Sequence, residues 1–148
     1  MRKSYRGYFF PKNPKKYKGD VNNIVYRSLW ERKVFSKLDI WDNVLEWSSE
    51  EIIIRYRSPI DMEIHRYFPD VYVKMKTKDD KIIEMVLEVK PLAQTLEPKK
   101  PKRITKRYLE ELATYGINQA KFKAASAWCA DRGWKFQLIT EKNIFGKK

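Results

Sequence analysis

The sequence predicts an α/β domain with a mixed sheet, whose elements follow the order helix, three strands, helix, strand. Segments with helical spacing and segments rich in alternating or β-branched residues follow one another along the chain, and polar or proline-containing turns separate them. The length of 148 residues and the 43% of hydrophobic residues fit one domain with a sizeable core. The chain as a whole is therefore excluded from the class of intrinsically disordered proteins.

The first helix is expected from about Ile24 to Leu38, with Asn22 or Asn23 as its N-cap. Apolar residues recur in this segment at steps of three and four, and Glu31 falls on the same stripe. A carboxylate on an inward-facing stripe requires a partner or a function. Glu31 is therefore a candidate site residue.

Three strands are predicted after a turn region at 39–49. They cover residues 51–57, 66–74 and 82–90, where β-branched and aromatic residues are frequent. Pro69 lies within the second of them, which indicates an edge strand or a bulge.

A long helix is predicted over residues 104–130, because apolar residues keep helical spacing throughout that segment. Gly133 is a plausible end signal. Residues 134–140 alternate between apolar and polar side chains and predict a fourth strand, after which 141–145 forms a short final turn.

The positive charge of the chain is concentrated in two segments. The net charge is +13, and residues 1–20 and 97–107 together hold +11 of it. Clustered cations together with 14% aromatic residues favour a polyanionic partner, most simply nucleic acid. The remaining residues are nearly neutral.

The N-terminal segment 1–20 is expected to be a basic, aromatic arm, separate from a domain at 21–148. Pro11 and Pro14 argue against a helix in the arm. Its aromatic residues help to hold DNA, anchor the arm to its own core, or do both. The segment 97–107 is either a DNA-contacting loop or a solubilising one. The candidate DNA-binding residues are Arg6, Lys12, Lys15 and Lys16 in the arm, and Lys99, Lys100, Lys102 and Arg103 in the loop.

Several classes of protein are excluded by what the sequence lacks. Cys129 and His65 are each the only residue of their type, so neither an internal disulfide nor a zinc site of Cys and His ligands is possible. No apolar run is long enough for a transmembrane helix, and the N-terminal charges are followed by no apolar segment typical of a signal peptide. We therefore expect an intracellular protein without a membrane partner.

The most informative residues are acidic and lie near the ends of two predicted strands. Alternation places Glu88 and Lys90 side by side on one face of the third strand, and pairing with the second strand would bring Asp70 close to Glu88. Two close carboxylates repel unless a cation lies between them, and their oxygens suit Mg²⁺ or Mn²⁺. Such a metal can activate water for attack on a phosphodiester. Lys90 would assist at the attacking water or the phosphate, and Glu31 would add a ligand.

Pro69-Asp70 followed by Glu88-Val89-Lys90 resembles the signature of the PD-(D/E)XK nuclease superfamily. The resemblance implies a restriction-endonuclease-like αβββαβ core and a Mg-dependent endodeoxyribonuclease. It also implies catalytic roles for Glu31, Asp70, Glu88 and Lys90, of which Asp70, Glu88 and Glu31 would bind the metal. Gln119 falls on the predicted inward stripe of the long helix, and it matches a position where some members place an assisting polar residue.

Longer segments are similar to two families of this superfamily. Residues 26–31, 66–70 and 87–91 resemble the TnsA-type transposon endonucleases. The segments 5–14, 102–105 and 118–121 extend the similarity to the head completion proteins of T-even-like tailed phages. This resemblance implies action on packaged double-stranded DNA or at the portal vertex, with phage head or portal proteins as partners, in the host cytoplasm or in the virion. Many nucleases of this fold act as homodimers.

Each acidic residue also has an ordinary structural explanation. Glu31 could pair with Arg27 or Arg66, Asp70 could be a turn residue, and Glu88 with Lys90 could be an exposed charge pattern. His65 is either a structural residue or one that touches substrate. Two other functions stay open: a head-plugging DNA-binding protein that does not cleave, and an RNA-binding domain.

Overall fold

The computed structural model describes residues 6–145. Arg2, Lys3 and Tyr5, which belong to the predicted arm, lie outside the described residues. The helices are α1 (Leu29–Ile40), α2 (Lys106–Ala130) and α3 (Glu141–Phe145). The strands are β1 (Gly7–Tyr8), β2 (Val25–Tyr26), β3 (Val44–Ser48), β4 (Ile54–Arg57), β5 (Ile64–Tyr67), β6 (Val71–Lys76), β7 (Ile82–Val89) and β8 (Lys135–Ile139).

A four-stranded mixed sheet in the order β3-β6-β7-β8 forms the centre of the molecule. The β3–β6 and β6–β7 pairs are antiparallel, and the β7–β8 pair is parallel. Phe35 of α1 packs in one core cluster with Val73 and Leu87, while Ala125 of α2 packs in a second cluster with Phe136 of β8. The predicted α/β fold with a mixed sheet is confirmed.

The first helix begins at Leu29, so the predicted start near Ile24 is wrong. Ser28 is the N-cap, and its side-chain oxygen accepts a hydrogen bond from the backbone N–H of Glu31 at 3.1 Å. The preceding residues form β2, which pairs with β1 and thereby takes the chain out of helical geometry.

The predicted turn at 39–49 contains a strand, β3. Val44 and Trp47 are 2% and 0% exposed, and the strand pairs antiparallel with β6. The strand is stabilised by burial of these two side chains against α1. The residues around them are polar, so the sequence pattern does not indicate a strand.

The predicted second strand is two strands that belong to different sheets. β5 pairs with β4 in a two-stranded hairpin, and β6 joins the central sheet. Pro69 and Asp70 lie between them, where proline interrupts the ladder of backbone hydrogen bonds.

The N-terminal segment packs on the domain from Gly7 to Tyr17. Phe9 contacts Trp47 edge to face, with ring centres 5.8 Å apart, and Tyr17 is buried. The buried carboxylate of Asp39 accepts the backbone N–H groups of Lys12 at 2.7 Å and Asn13 at 3.0 Å. Aromatic residues therefore anchor this segment to the core of the domain, as one of the two interpretations of the sequence predicts.

The long helix is close to the prediction. α2 begins at Lys106 with Thr105 as its N-cap and ends at Ala130. None of the helices within residues 6–145 combines the length and the apolar character that a membrane span needs.

Candidate active site

Strand pairing brings Asp70 and Glu88 together, as the sequence predicts. Val71 lies opposite Leu87 in the β6–β7 register, so Asp70 and Glu88 are neighbours at that end of the pair. The backbone N–H of Asp70 donates to Glu88 Oε1 at 3.3 Å. In the other direction, the backbone N–H of Val89 donates to Asp70 Oδ2 at 2.8 Å. These two hydrogen bonds fix both carboxylates relative to the sheet.

Glu88 is buried and held by its neighbours. The residue is 6% exposed. The hydroxyl of Tyr67 donates a hydrogen bond to Glu88 Oε1 at 2.6 Å. Lys90 Nζ lies 3.8 Å from Oε2. Burial raises the pKa of Glu88, and the Tyr67 hydroxyl and the Lys90 ammonium offset part of that rise.

The carboxyl of Asp70 has a raised affinity for protons. Burial raises its pKa well above the usual range, and the negative charges of Glu88 and Glu31 raise it further. The hydrogen bond from Val89 and the charge of Lys90 act in the opposite direction but do not compensate. A cation next to Asp70 would supply the missing positive charge.

A third and a fourth carboxylate approach from α1 and from the end of β3. One oxygen each from Glu31, Glu50 and Asp70 lies within 4.8 Å of the others. Glu31 Oε1 accepts the backbone N–H of Arg27 at 3.0 Å, and burial, above all, raises the pKa of Glu31. The Arg27 guanidinium also pairs with Glu50. It therefore provides part of the positive charge next to the cluster.

Glu50 is the site residue that sequence reasoning missed. It follows β3, between the predicted turn at 39–49 and the predicted strand at 51–57, and it has φ 55°. The left-handed backbone of a non-glycine residue cannot be read from residue type. The available signal was Trp47: as a strand residue it would have placed Glu50 at the same end of the sheet as Asp70.

The acidic group is therefore composed differently from the predicted ligand set. The sequence predicts Asp70, Glu88 and Glu31 as metal ligands, whereas the mutually close oxygens belong to Glu31, Glu50 and Asp70. Glu88 Oε1 is already occupied by Tyr67 and by the backbone of Asp70. The three close carboxylates supply hard oxygen donors, and the proton affinity of Glu31 and Asp70 is raised. This donor set therefore fits a divalent cation such as Mg²⁺ or Mn²⁺.

Lys90 is positioned by the main chain of β8. Its backbone N–H donates to the carbonyl of Ile139 at 2.9 Å, and its side chain is 27% exposed. The ammonium thus lies between buried Glu88 and solvent, where it can meet a bound phosphate or a water molecule.

Gln119 does not lie on the inward face of α2, so that expectation is wrong. Gln119 is exposed, and the buried polar residue is its neighbour Asn118. The inward face of the helix carries the buried residues Asn118, Phe122, Ala125 and Cys129, so Asn118 lies on this face where the sequence predicts Gln119.

His65 is exposed and pairs with Asp61 at 2.8 Å, which agrees with a structural role.

The predicted DNA-binding cations lie at two places on the surface. Lys16 differs from the others, because its Nζ donates to the carbonyl oxygens of Asp39 and Trp41. The other seven are exposed: Arg6, Lys12, Lys15, Lys99, Lys100, Lys102 and Arg103. Their contact with DNA stays a prediction.

Comparison with known proteins agrees with this geometry. Residues 41–141 match the family model described as TnsA-like endonuclease N terminal. The chain is also 37% identical over 145 residues to the head completion nuclease of Enterobacteria phage T4, covering 95% of this chain and 94% of that protein. The α/β architecture of this chain, with its mixed sheet, is that of the restriction-endonuclease-like fold. The chain belongs to the TnsA-like endonuclease N-terminal family of PD-(D/E)XK-like nucleases.

Proposed function

We propose that the chain is a Mg²⁺- or Mn²⁺-dependent endodeoxyribonuclease of phage head completion. The carrying observation is the cluster of Glu31, Glu50 and Asp70 beside buried Glu88 and half-buried Lys90. Three carboxylates with this proximity are costly in a protein unless they hold a cation. Similarity to a head completion nuclease over almost the whole chain supports the biological setting.

Glu31, Glu50 and Asp70 would hold the metal. When bound, a divalent cation supplies a lowered pKa for water and charge neutralisation at the phosphodiester. The chain's own contribution is to keep these three carboxylates close before the substrate arrives. Asp70 is held through Val89 N–H, and Glu31 through the backbone of Arg27.

Glu88 and Lys90 would act at the reacting groups. Tyr67 and the Asp70 backbone orient Glu88 Oε1, which leaves Oε2 directed towards Lys90. The Lys90 ammonium would orient the attacking water or stabilise negative charge on the phosphate. The Lys90 ammonium also favours the ionised form of Glu88 and so offsets part of the rise in its pKa that burial causes.

The substrate in this proposal is double-stranded DNA. Exposed cations next to a nearly neutral domain supply attraction to the phosphate backbone, which is independent of base sequence. The setting would be assembly in the host cytoplasm, on packaged DNA or at the portal vertex, with head or portal proteins as partners.

The direct test is nicking of supercoiled plasmid with Mg²⁺, Mn²⁺ or EDTA. We expect cleavage with either metal, none in EDTA, and a loss of about 10³-fold or more in Asp70→Asn, because metal and general catalysis fail together. Asp79→Asn, an exposed turn residue, is the matched control and should cleave like the wild type. Cleavage that persists in EDTA, or in a correctly folded Asp70→Asn protein, would refute the metal mechanism.

The role in head completion is tested separately by complementation. A phage that lacks its own head completion nuclease should be rescued by the wild-type chain and not by Asp70→Asn. Rescue by both proteins would instead support the structural alternative, in which the chain closes the filled head without cleaving DNA.

A further inference from the structure

The β4–β5 hairpin carries an arginine-rich outer face that lies outside the two basic segments noted in the sequence. Its inner face packs against α2 through buried side chains, including Ile54 at 1% and Tyr67 at 4% exposure. Side chains alternate between the two faces of each strand, so the neighbours of the buried residues on β4 and β5 point away from the core. Three of them are exposed arginines: Arg55, Arg57 and Arg66.

The three charges lack acidic partners. Arg55 and Arg66 are directly opposite each other in the β4–β5 register, an arrangement that is unfavourable for like charges. Within residues 6–145, none of the three arginines forms an ion pair. Arg57 donates to the carbonyl of Met62 at 2.7 Å, and the Arg66 guanidinium lies 5.8 Å from the centre of the Phe68 ring. An anionic partner would relieve this repulsion.

The hairpin is joined directly to the candidate active site. Glu50 lies shortly before β4, and Pro69 and Asp70 follow β5. Tyr67, the last residue of β5, contacts Glu88 from the inner face of the hairpin. A duplex cleaved at the acidic cluster would therefore pass beside the hairpin.

The chemistry of this face favours duplex DNA over an acidic protein. Arg55 and Arg66 lie opposite each other on neighbouring strands about 4.8 Å apart, so their long side chains can reach phosphates of one DNA backbone, and the guanidinium fork suits phosphate oxygens. The end of the hairpin exposes apolar side chains, Ile60 at 60% and Met62 at 61%. Arginines combined with an apolar tip are typical of β-ribbons and other elements that enter a DNA groove.

We propose that the outer face of the β4–β5 hairpin binds the phosphate backbone of duplex DNA beside the cleaved bond, with Arg55 and Arg66 as the principal contacts. This inference rests on the proposed function, because it takes DNA as the substrate. It adds a third basic surface, which is attached to the site itself.

The test compares Arg55→Gln/Arg66→Gln with Lys78→Gln/Lys81→Gln. The control removes the same charge from the exposed turn at the far end of β6 and β7. Binding to a short labelled duplex is measured by anisotropy in EDTA over a range of salt concentrations. We expect the hairpin variant to bind about tenfold more weakly, with the slope of log affinity against log salt reduced by about 1.8 for two lost phosphate contacts. The control should stay within about twofold of the wild type.

Three outcomes separate the hypotheses. Wild-type affinity and slope in the hairpin variant, with wild-type cleavage, would overturn the hairpin inference and leave the proposed function intact. Absence of binding and cleavage in the wild type would overturn both. Unchanged DNA binding with failed complementation would assign the face to a protein partner and refute the inference. Arg55→Lys/Arg66→Lys, which keeps the charge, should retain the wild-type slope and guards against misfolding of the first variant.

Discussion

Glu50 illustrates how one residue in an unusual conformation completes a site. Its left-handed backbone costs about 1–2 kcal/mol for a residue with a side chain, and this strain is offset by surrounding structure. The guanidinium of Arg27 pairs with Glu50, while a Glu50 oxygen stays within 4.8 Å of Glu31 and Asp70 oxygens. The conformation therefore delivers a carboxylate that the adjoining strands would otherwise leave elsewhere.

Glu50→Gln should raise the Mg²⁺ concentration required for half-maximal cleavage by about tenfold or more, because one anionic donor is lost from the cluster. Metal titrations of plasmid nicking measure this directly. Asp79→Asn removes one exposed carboxylate and should leave the requirement unchanged. An unaltered Mg²⁺ requirement in Glu50→Gln would exclude Glu50 from the metal site.

Tyr67→Phe should lower kcat for cleavage by about tenfold with little change in KM for DNA. The hydroxyl orients Glu88 Oε1 at 2.6 Å, and hydrogen bonds to charged groups contribute about 1.5–3 kcal/mol. Tyr8→Phe, at an exposed tyrosine, is the control. An increase in KM alone would show that Tyr67 serves DNA binding and does not position Glu88.

The sequence predicts most of the site residues, because strand alternation and a Pro-Asp break are local signals. Asp70 and Glu88 follow from such signals, and their hydrogen bonds agree. Glu50 does not, since its position depends on β3, whose burial is a tertiary effect. The sequence does not show which of Asn118 and Gln119 faces the core, because the apolar pattern of this 25-residue helix is weak enough to fit two orientations that differ by one residue.

At the scale of elements, segments with a clear periodic pattern are predictable, and segments whose conformation depends on tertiary pairing or burial are not. α2, β7 and β8 differ from their predicted ranges by a few residues at most. The start of α1 was misread because Asn22 and Asn23 offered caps as plausible as Ser28, and only pairing of β2 with β1 excludes them. β3 is five residues long and gains its stability from Trp47 in the core.

Asp39→Ala should detach the N-terminal segment from α1 and lower the free energy of unfolding by about 2–4 kcal/mol. The change removes the buried carboxylate that accepts the backbone N–H groups of Lys12 and Asn13, and it leaves a small cavity beside α1. Urea unfolding measures the loss, and limited proteolysis near residues 9–16 should become faster. Asp42→Ala, at an exposed acid, should change stability by no more than about 0.5 kcal/mol.

At the scale of the whole molecule, charge is divided by sign and by location. The net charge of +13 lies mostly in the N-terminal segment and in the 97–107 loop, while the partly buried carboxylates of Glu31, Glu50 and Asp70 cluster at the candidate active site. Burial raises the pKa values of Glu31, Asp70 and Glu88 above those of the unfolded chain. At these three carboxyls, the folded metal-free protein therefore binds more protons than the unfolded chain does.

The sign of the resulting pH dependence is fixed. An acid whose pKa is higher in the folded state destabilises the fold progressively as pH rises from the unfolded value, about 4, through the folded value. With no metal, Glu31→Gln/Asp70→Asn should thus be more stable relative to the wild type at pH 8 than at pH 5. Thermal unfolding at the two pH values measures the difference.

Mg²⁺ should reverse this destabilisation in the wild type. A concentration of about one hundred times the dissociation constant adds about 2.7 kcal/mol to the free energy of unfolding, which corresponds to a rise in Tm of several degrees. The rise should be large at pH 8 and small at pH 5, because protons compete with the cation for Glu31 and Asp70. Added Na⁺ at equal ionic strength is the control. An equal rise in Tm for Glu31→Gln/Asp70→Asn would mean that Mg²⁺ stabilises the fold elsewhere than at these carboxylates.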